Sequence, residues 1–310
     1  MTIELRLTDV DPPTAEPKRT IYRDIANLPD PTVLGVTIRY FNYDDVDLYM
    51  QITGSATGYT FTPANLGLLA TGTNAYANLD NFASRAKPTV TQLPNGEMTE
   101  NITLTLKGYT DSGYTDLKWT FERIVTVIWI NSTDAAFTVD ELDNFDDGTV
   151  QGWAVADELN NYTGYPTIAV ATDYVLSTPY SCKFTQNNYA VYQDKELRGR
   201  LYKDFTTPNK TQVYAVFDLR LSISSGYGDS GWAKYFNITE DDVTKVHIGR
   251  DYDTEQTHYC PFDKWIRIVI PLTPNTLVTL KIIADCLAHH PAGYWVYLLT
   301  WLDDFKIISK

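Results

Sequence analysis

Leu142-Asp143-Asn144-Phe145-Asp146-Asp147-Gly148-Thr149-Val150-Gln151-Gly152-Trp153 opens a segment that runs to the C-terminus and closes on Trp301-Leu302-Asp303-Asp304-Phe305-Lys306-Ile307. Both phrases set adjacent acids among alternating apolar residues, as strands with one buried face do. Between them the alternation continues. Val213, Ala215, Phe217, Leu219, Leu221 and Ile223 share one parity, and so do Ile266, Ile268 and Ile270, then Val278, Leu280 and Ile282. Helical periodicity is nowhere sustained, so the expected class is all-β.

Toward the N-terminus, Asn131-Ser132-Thr133-Asp134 reads as a polar joint and a second sandwich is expected over 138–310. Residues 33–134 show their own strand signals: Leu34 to Tyr40, then Val46, Leu48, Met50 and Ile52, then Ile102, Leu104 and Leu106, and Leu117 to Ile130. Short strands separated by turn residues over about 100 positions suggest an immunoglobulin-like sandwich, without the cysteine pair of antibody domains. The stretch 63–86, rich in small residues and Asn, is expected to be a long loop or to hold a short helix. Residues 1–32 carry Pro12, Pro13, Pro17, Pro29 and Pro31. Proline removes ladder donors, so this part is expected to be an extended arm or linker.

Composition narrows the function. The chain has 310 residues, enough for two cored domains. Its 22 Tyr, 7 Trp and 12 Phe suit pleated, half-buried surfaces. The net charge of −14 is spread over both halves: 10 basic and 16 acidic residues up to 137 (−6), 15 and 23 from 138 onward (−8). No basic stripe is present to collect phosphates, which argues against nucleic-acid partners. No apolar run reaches transmembrane length, and the N-terminal residues do not resemble a secretory leader. Nucleophile elbow, P-loop, dinucleotide fingerprint and paired Cys-x-x-Cys are all missing, so no enzyme is expected. Cys182, Cys260 and Cys286 are too few for a disulfide framework, and Cys182 reads as a buried thiol. His258, Cys260, His289 and His290 have no zinc-site spacing.

Four phrases in order carry a family resemblance. Phe145-Asp146-Asp147-Gly148 with Gly152-Trp153, then Ser177 to Phe184, then Lys264 to Leu272 with its leading Trp265 and closing Pro271-Leu272, and finally Leu302-Asp303-Asp304-Phe305-Lys306-Ile307, together resemble the jelly-roll carbohydrate-binding modules, also called galactose-binding-like domains. The likeness covers 138–310 only. It implies a jelly roll whose first and last strands meet, and a structural Ca²⁺ held there by Asp143, Asp146, Asp147, Asp303 and Asp304. Calcium takes six to eight oxygens, which acids on neighbouring strands can supply. The alternative is that Asp146-Asp147-Gly148 is a plain turn with solvated acids.

The same resemblance directs attention to aromatic side chains for sugar stacking: Tyr162 and Tyr165 in the first loop, and Tyr227, Trp232 and Tyr235 around a Gly-rich turn. Such loop aromatics serve protein interfaces equally well. Trp153, Trp265 and Trp301 read as core. Five glycosylation sequons occur, at Asn101, Asn131, Asn161, Asn209 and Asn237, and suggest an exposed glycoprotein. Two function classes therefore stand side by side. One is a non-enzymatic structural protein of an oligomeric assembly, a virion surface or coat-associated component or a cell-surface subunit, whose partners are other subunits. The other is a glycan-binding module, lectin-like or accessory to a polysaccharide-degrading enzyme.

Overall fold

A computed structural model describes residues 3–10, 19–157, 166–177, 179–189, 195–225, 231–251, 256–257, 263–288 and 295–310, without the side chains of 9–10, 27, 187–189, 195–197, 223–225, 231–235, 249–251, 256–257, 286–288 and 295–297. The chain divides into two compact units, Met1–Asp134 and Ala135–Lys310. Both are all-β sandwiches. No helix among the described residues is long and apolar enough to cross a membrane.

The first unit begins with β1 (Ile3–Val10), β2 (Thr20–Asp24), β3 (Thr32–Asn42) and β4 (Leu48–Ser55). It continues with β5 (Tyr59–Phe61), β6 (Ala64–Leu69), β7 (Asn74–Arg85), β8 (Glu97–Tyr109) and β9 (Leu117–Ile130). One sheet has the order β1-β3-β7-β5 and the other β2-β9-β8-β4-β6. Alternation places Leu48, Met50 and Ile52 on the inner face of β4 against Ile102, Leu104 and Leu106 of β8, all fully buried.

Two expectations are corrected here. The described parts of 1–32 are not an arm: β1 pairs antiparallel with β3, β2 pairs parallel with β9, and Leu5 and Ile21 are fully buried in the core. The prolines do not prevent this. Pro29 and Pro31 fall between β2 and β3, where no ladder donor is lost, and Pro12, Pro13 and Pro17 lie outside the described residues. The stretch 63–86 is neither helix nor long loop but β6 and β7. Ala75, Ala77 and Leu79 are weak strand formers or small, yet they pack half-buried on the core once β3 supplies a partner ladder. Tertiary pairing overrides the local propensity.

The second unit begins with β10 (Thr138–Asp143), β11 (Ala154–Asp157), β12 (Thr167–Ala171), β13 (Ser181–Tyr189), β14 (Lys195–Thr206) and β15 (Val213–Ser225). After them come β16 (Gly231–Glu240), β17 (Val243–Asp251), β18 (Gln256–Thr257), β19 (Trp265–Pro271), β20 (Leu277–Ala288) and β21 (Trp295–Ser309). One sheet runs β12-β13-β21-β15-β19 with β10 also on β21, and the facing sheet runs β11-β14-β20-β16-β17-β18. The chain passes repeatedly from one sheet to the other, the jelly-roll arrangement. Phe145, Trp153, Phe184, Phe217, Phe236 and Phe305 meet in its core, with Trp153 edge-on to Phe305 at 5.1 Å.

First and last strands pair directly, Asp143 opposite Phe305 and Leu142 opposite Lys306. Between Leu302 and Phe305, both in the core, β21 carries an extra residue: Asp304 has φ 46° and the register against β15 shifts there. This bulge reverses side-chain parity. Asp303 consequently does not share the inward side with Phe305, although plain alternation places it there.

Candidate functional site

Among the described residues, the outer face of the β14–β20–β16–β17 sheet gathers aromatic, guanidinium, amide and imidazole side chains. On β14, Leu201 and Phe205 enter the core while Arg198, Arg200, Tyr202 and Asp204 project from the other side. Gly199 lies between them because the fully buried Gln186 and the Phe184 ring occupy the space a Cβ would take. On β20 the core takes Leu280, Ile282 and Ala284, leaving Lys281, Ile283 and Asp285 outward. Strand register aligns these residues in rows. One row is Arg200, Ile283, Asn237 and His247, ending on Ala156 of β11. The next joins Arg198 with Asp285, and the one on the other side joins Tyr202 with Lys281 and Thr239.

The polar groups in these rows are held in fixed orientations. Arg198 Nε donates to Asp285 Oδ2 at 2.8 Å, and that carboxylate is fully buried. The Arg200 guanidinium sits over the Tyr202 ring, 4.9 Å from its centroid. His247 Nδ1 and Asn237 Oδ1 are 2.6 Å apart. Lys281 Nζ is 2.6 Å from Asp242 Oδ1 at one margin. A phenol ring and an isoleucine thus lie among guanidinium, amide, imidazole and carboxylate groups. Such a surface offers an apolar floor and bidentate hydrogen bonding to a flat, polyhydroxylated ligand. The polar–apolar alternation of β14 is the sequence signal for this face.

Of the aromatic residues expected to stack on sugar, Tyr162, Tyr165 and Tyr227 lie outside the described residues. Trp232 and Tyr235 belong to β16, with side chains outside the described part; in register, Tyr235 stands opposite Asp285. Trp153 is core. Trp301 is buried on the outer side of its sheet, under Tyr174 and Arg220.

The five acids expected to hold Ca²⁺ are not brought into one donor set. Among the described residues, no three His, Cys, Asp or Glu side chains are grouped to hold a metal ion. Asp143 is buried and accepts from Trp153 Nε1 at 2.9 Å and Lys203 Nζ at 2.6 Å. Burial pushes its carboxyl up, and the Lys203 ammonium pulls it back. Asp146 is exposed and accepts from Asn144 Nδ2, and Asp147 caps its own turn through Thr149 N at 2.9 Å and Thr149 Oγ1 at 2.8 Å. Those bonds hold Asp147 below the ordinary carboxylate range. Asp303 accepts from the backbone N–H groups of Leu176 and Ser177 and from Ser177 Oγ, anchoring the 172–177 loop. Asp304 pairs with Arg267 at 3.1 Å. Backbone N–H donors, a guanidinium and an ammonium occupy the oxygens that calcium needs, so the set does not fit the ion.

The sequons also separate. Asn101 and Asn209 are exposed and Asn237 is half-buried on the rows above. Asn131 is 5% exposed, with Oδ1 accepting from Thr133 N and Thr133 Oγ1. Asn161 lies outside the described residues. Cys182 is in the core, where burial pushes the thiol up to about 12. In the first unit, Tyr59 Oη at 3.0 Å, Trp129 Nε1 at 2.7 Å and the Arg85 guanidinium converge on Glu100 Oε2. Burial and this carboxylate raise the Tyr59 phenol to about 12. All three donors share one oxygen of that carboxylate, which ties β5, β7 and β9 to β8.

No protein-family model matches the chain, and no curated protein matches it in sequence. Solved structures do, and they include carbohydrate-binding modules, the family its four phrases resemble. The CBM22-1 xylan-binding domain of Paenibacillus barcinonensis Xyn10C is 15% identical, with 55% of this chain and 93% of that one covered and a TM-score of 0.31. The module TmCBM61, solved with β-1,4-galactotriose, is 14% identical over 54% of this chain and 94% of its own, at a TM-score of 0.29. A CBM28 module specific for non-crystalline cellulose is 17% identical over 53% and 90%, also at 0.29. Similarity at this level concerns the fold alone.

Proposed function

We propose that this chain is a non-enzymatic glycan-binding protein, and that the glycan lies across the outer face of β14, β20, β16 and β17. The carrying observation is the aligned row of Arg200, Ile283, Asn237 and His247 flanked by Tyr202 and the Arg198–Asp285 pair. Sugar rings present apolar C–H faces edged by hydroxyls, and this row supplies an apolar floor edged by planar donors and acceptors. The charge of −14 is compatible with a neutral or basic ligand and disfavours polyanions. The test is a glycan array probed with the full chain and with Arg200→Ala/Tyr202→Ala. Retention of some glycan by the wild type and its loss in the variant is expected, and silence of the wild type across a broad array overturns the reading.

A second reading places the chain as a subunit of a virion surface or other extracellular assembly. Exposed apolar side chains on β9 favour it: Leu117 is 49% and Ile124 56% exposed, area that a neighbouring subunit would cover. Light scattering on the purified protein decides it, and a strictly monomeric chain at micromolar concentration overturns it. The two readings are compatible, since an assembly subunit can carry a glycan-binding module.

A further inference from the structure

We propose that the ammonium group of Lys203 is the cation of the jelly-roll closure, standing among Glu141, Asp143 and the Gln151 carbonyl where a calcium ion would otherwise sit, so that the sandwich closes without metal. Lys203 Nζ lies 2.5 Å from Glu141 Oε1, 2.6 Å from Asp143 Oδ2 and 2.9 Å from Gln151 O. Two carboxylates and a backbone carbonyl from a strand and the turn after it are the ligand types of a calcium site. An ammonium has three N–H donors, and here each has an oxygen.

The position within the fold is what gives this arrangement its role. Glu141 and Asp143 are on β10, which pairs with the last strand, and Gln151 is in the turn before Trp153. Lys203 reaches them from β14, in the facing sheet. One side chain therefore ties first strand, opening turn and opposite sheet together, as a shared metal ion would. The side chain lies against this turn: Gly152 has φ 84°, and a Cβ there would stand in van der Waals contact with Lys203 Cε at 3.6 Å. Lys203 is 9% exposed and Asp143 4%, so neither charge is satisfied by bulk water. A divalent ion entering the same oxygens would meet a fixed positive charge within about 3 Å, which opposes binding strongly at low dielectric.

The test uses thermal unfolding of the full chain in EDTA and in millimolar Ca²⁺. The wild-type Tm is expected to be equal in both, within about 1 °C. Lys203→Ala leaves two carboxylates facing each other unpaired, and its Tm in EDTA is expected to fall by about 6–12 °C, the loss from breaking a buried pair in a domain of this size. Because the alanine vacates the position, Ca²⁺ is expected to restore part of that loss, whereas Lys203→Met, which fills it, gains nothing from Ca²⁺. A wild-type Tm that rises with Ca²⁺ and drops in EDTA overturns the proposal, and that measurement needs no variant. So does a Lys203→Ala protein as stable as wild type in EDTA, or one that Ca²⁺ stabilises no more than Lys203→Met.

Discussion

Trp301 Nε1 donates to Asp173 Oδ1 at 3.0 Å on the outer side of β21, away from the core that Leu302 enters. Tyr174 stands edge-on to the indole at 4.8 Å, and Lys183 Nζ lies 4.9 Å from its ring centroid. Arg220 covers the Tyr174 ring at 4.0 Å. A second small apolar layer is thus built outside the sandwich by the 172–177 loop, which Asp303 fastens from below.

Truncation of this layer tests its weight. Trp301→Ala is expected to destabilise the second unit by about 3–5 kcal/mol, as for a buried indole. Asp173→Ala removes the hydrogen bonds from Trp301 Nε1 and Tyr174 N and a half-exposed ion pair with Lys183, and should cost about 1–2 kcal/mol. Urea unfolding followed by tryptophan fluorescence measures both. Equal losses for the two variants would contradict this division.

The carboxyl of Asp218 gives the pH dependence. Burial pushes it up to about 7, against the opposing pull of Arg267 and with help from Asp304 and Asp303. The folded state therefore holds this proton more tightly than the unfolded chain, whose carboxyl ionises near 4. The group's contribution to stability is complete below pH 4 and is lost as pH rises through 7. About 2–4 kcal/mol is at stake from the size of the shift. Asp218→Asn, neutral at every pH, should flatten the slope of urea midpoint against pH between 5 and 8. An unchanged slope would assign the dependence to another group.

Gln186 is inward on β13, fully buried, and its amide finds no hydrogen-bonding partner among the described residues. Replacing it with Met keeps the length and removes the unsatisfied polar atoms. The variant should gain about 1 kcal/mol or more in urea unfolding. The neighbouring Gly199→Ala should lose about 1–3 kcal/mol, because the new Cβ enters the space of that amide. In the double variant the loss should change by more than simple addition, since the two side chains share one volume.

On the proposed glycan face, Arg200→Ala and Tyr202→Ala each remove a half-exposed outward side chain. Affinity for the glycan found on the array should weaken about tenfold per substitution, roughly 1.4 kcal/mol. Stability should stay within about 0.5 kcal/mol of wild type, because neither side chain reaches the core. Isothermal titration with parallel urea melts separates the two effects.

Alternation of apolar residues determined the class by itself. Val213 to Ile223, Ile266 to Ile270 and Val278 to Ile282 have only one way to hide their larger side chains, and strands with period two follow. The four phrases from Phe145 to Ile307 also marked where the second sandwich opens and closes, because turn residues and paired core tryptophan leave local traces. Three things were decided only in three dimensions. β1 and β2, and then β6 and β7, formed as strands because β3, β9 and β4 offered them ladders, partners that lie outside the local sequence. Asp303 turned outward because a single bulge at Asp304 reversed parity, and bulges depend on the partner strand's register rather than on the residue that hosts them. Asp143 met an ammonium because β14 lies opposite it in the facing sheet. Lys203, sixty residues from Asp143, is an ordinary basic residue in the sequence, and only the sandwich brings its charge to that closure.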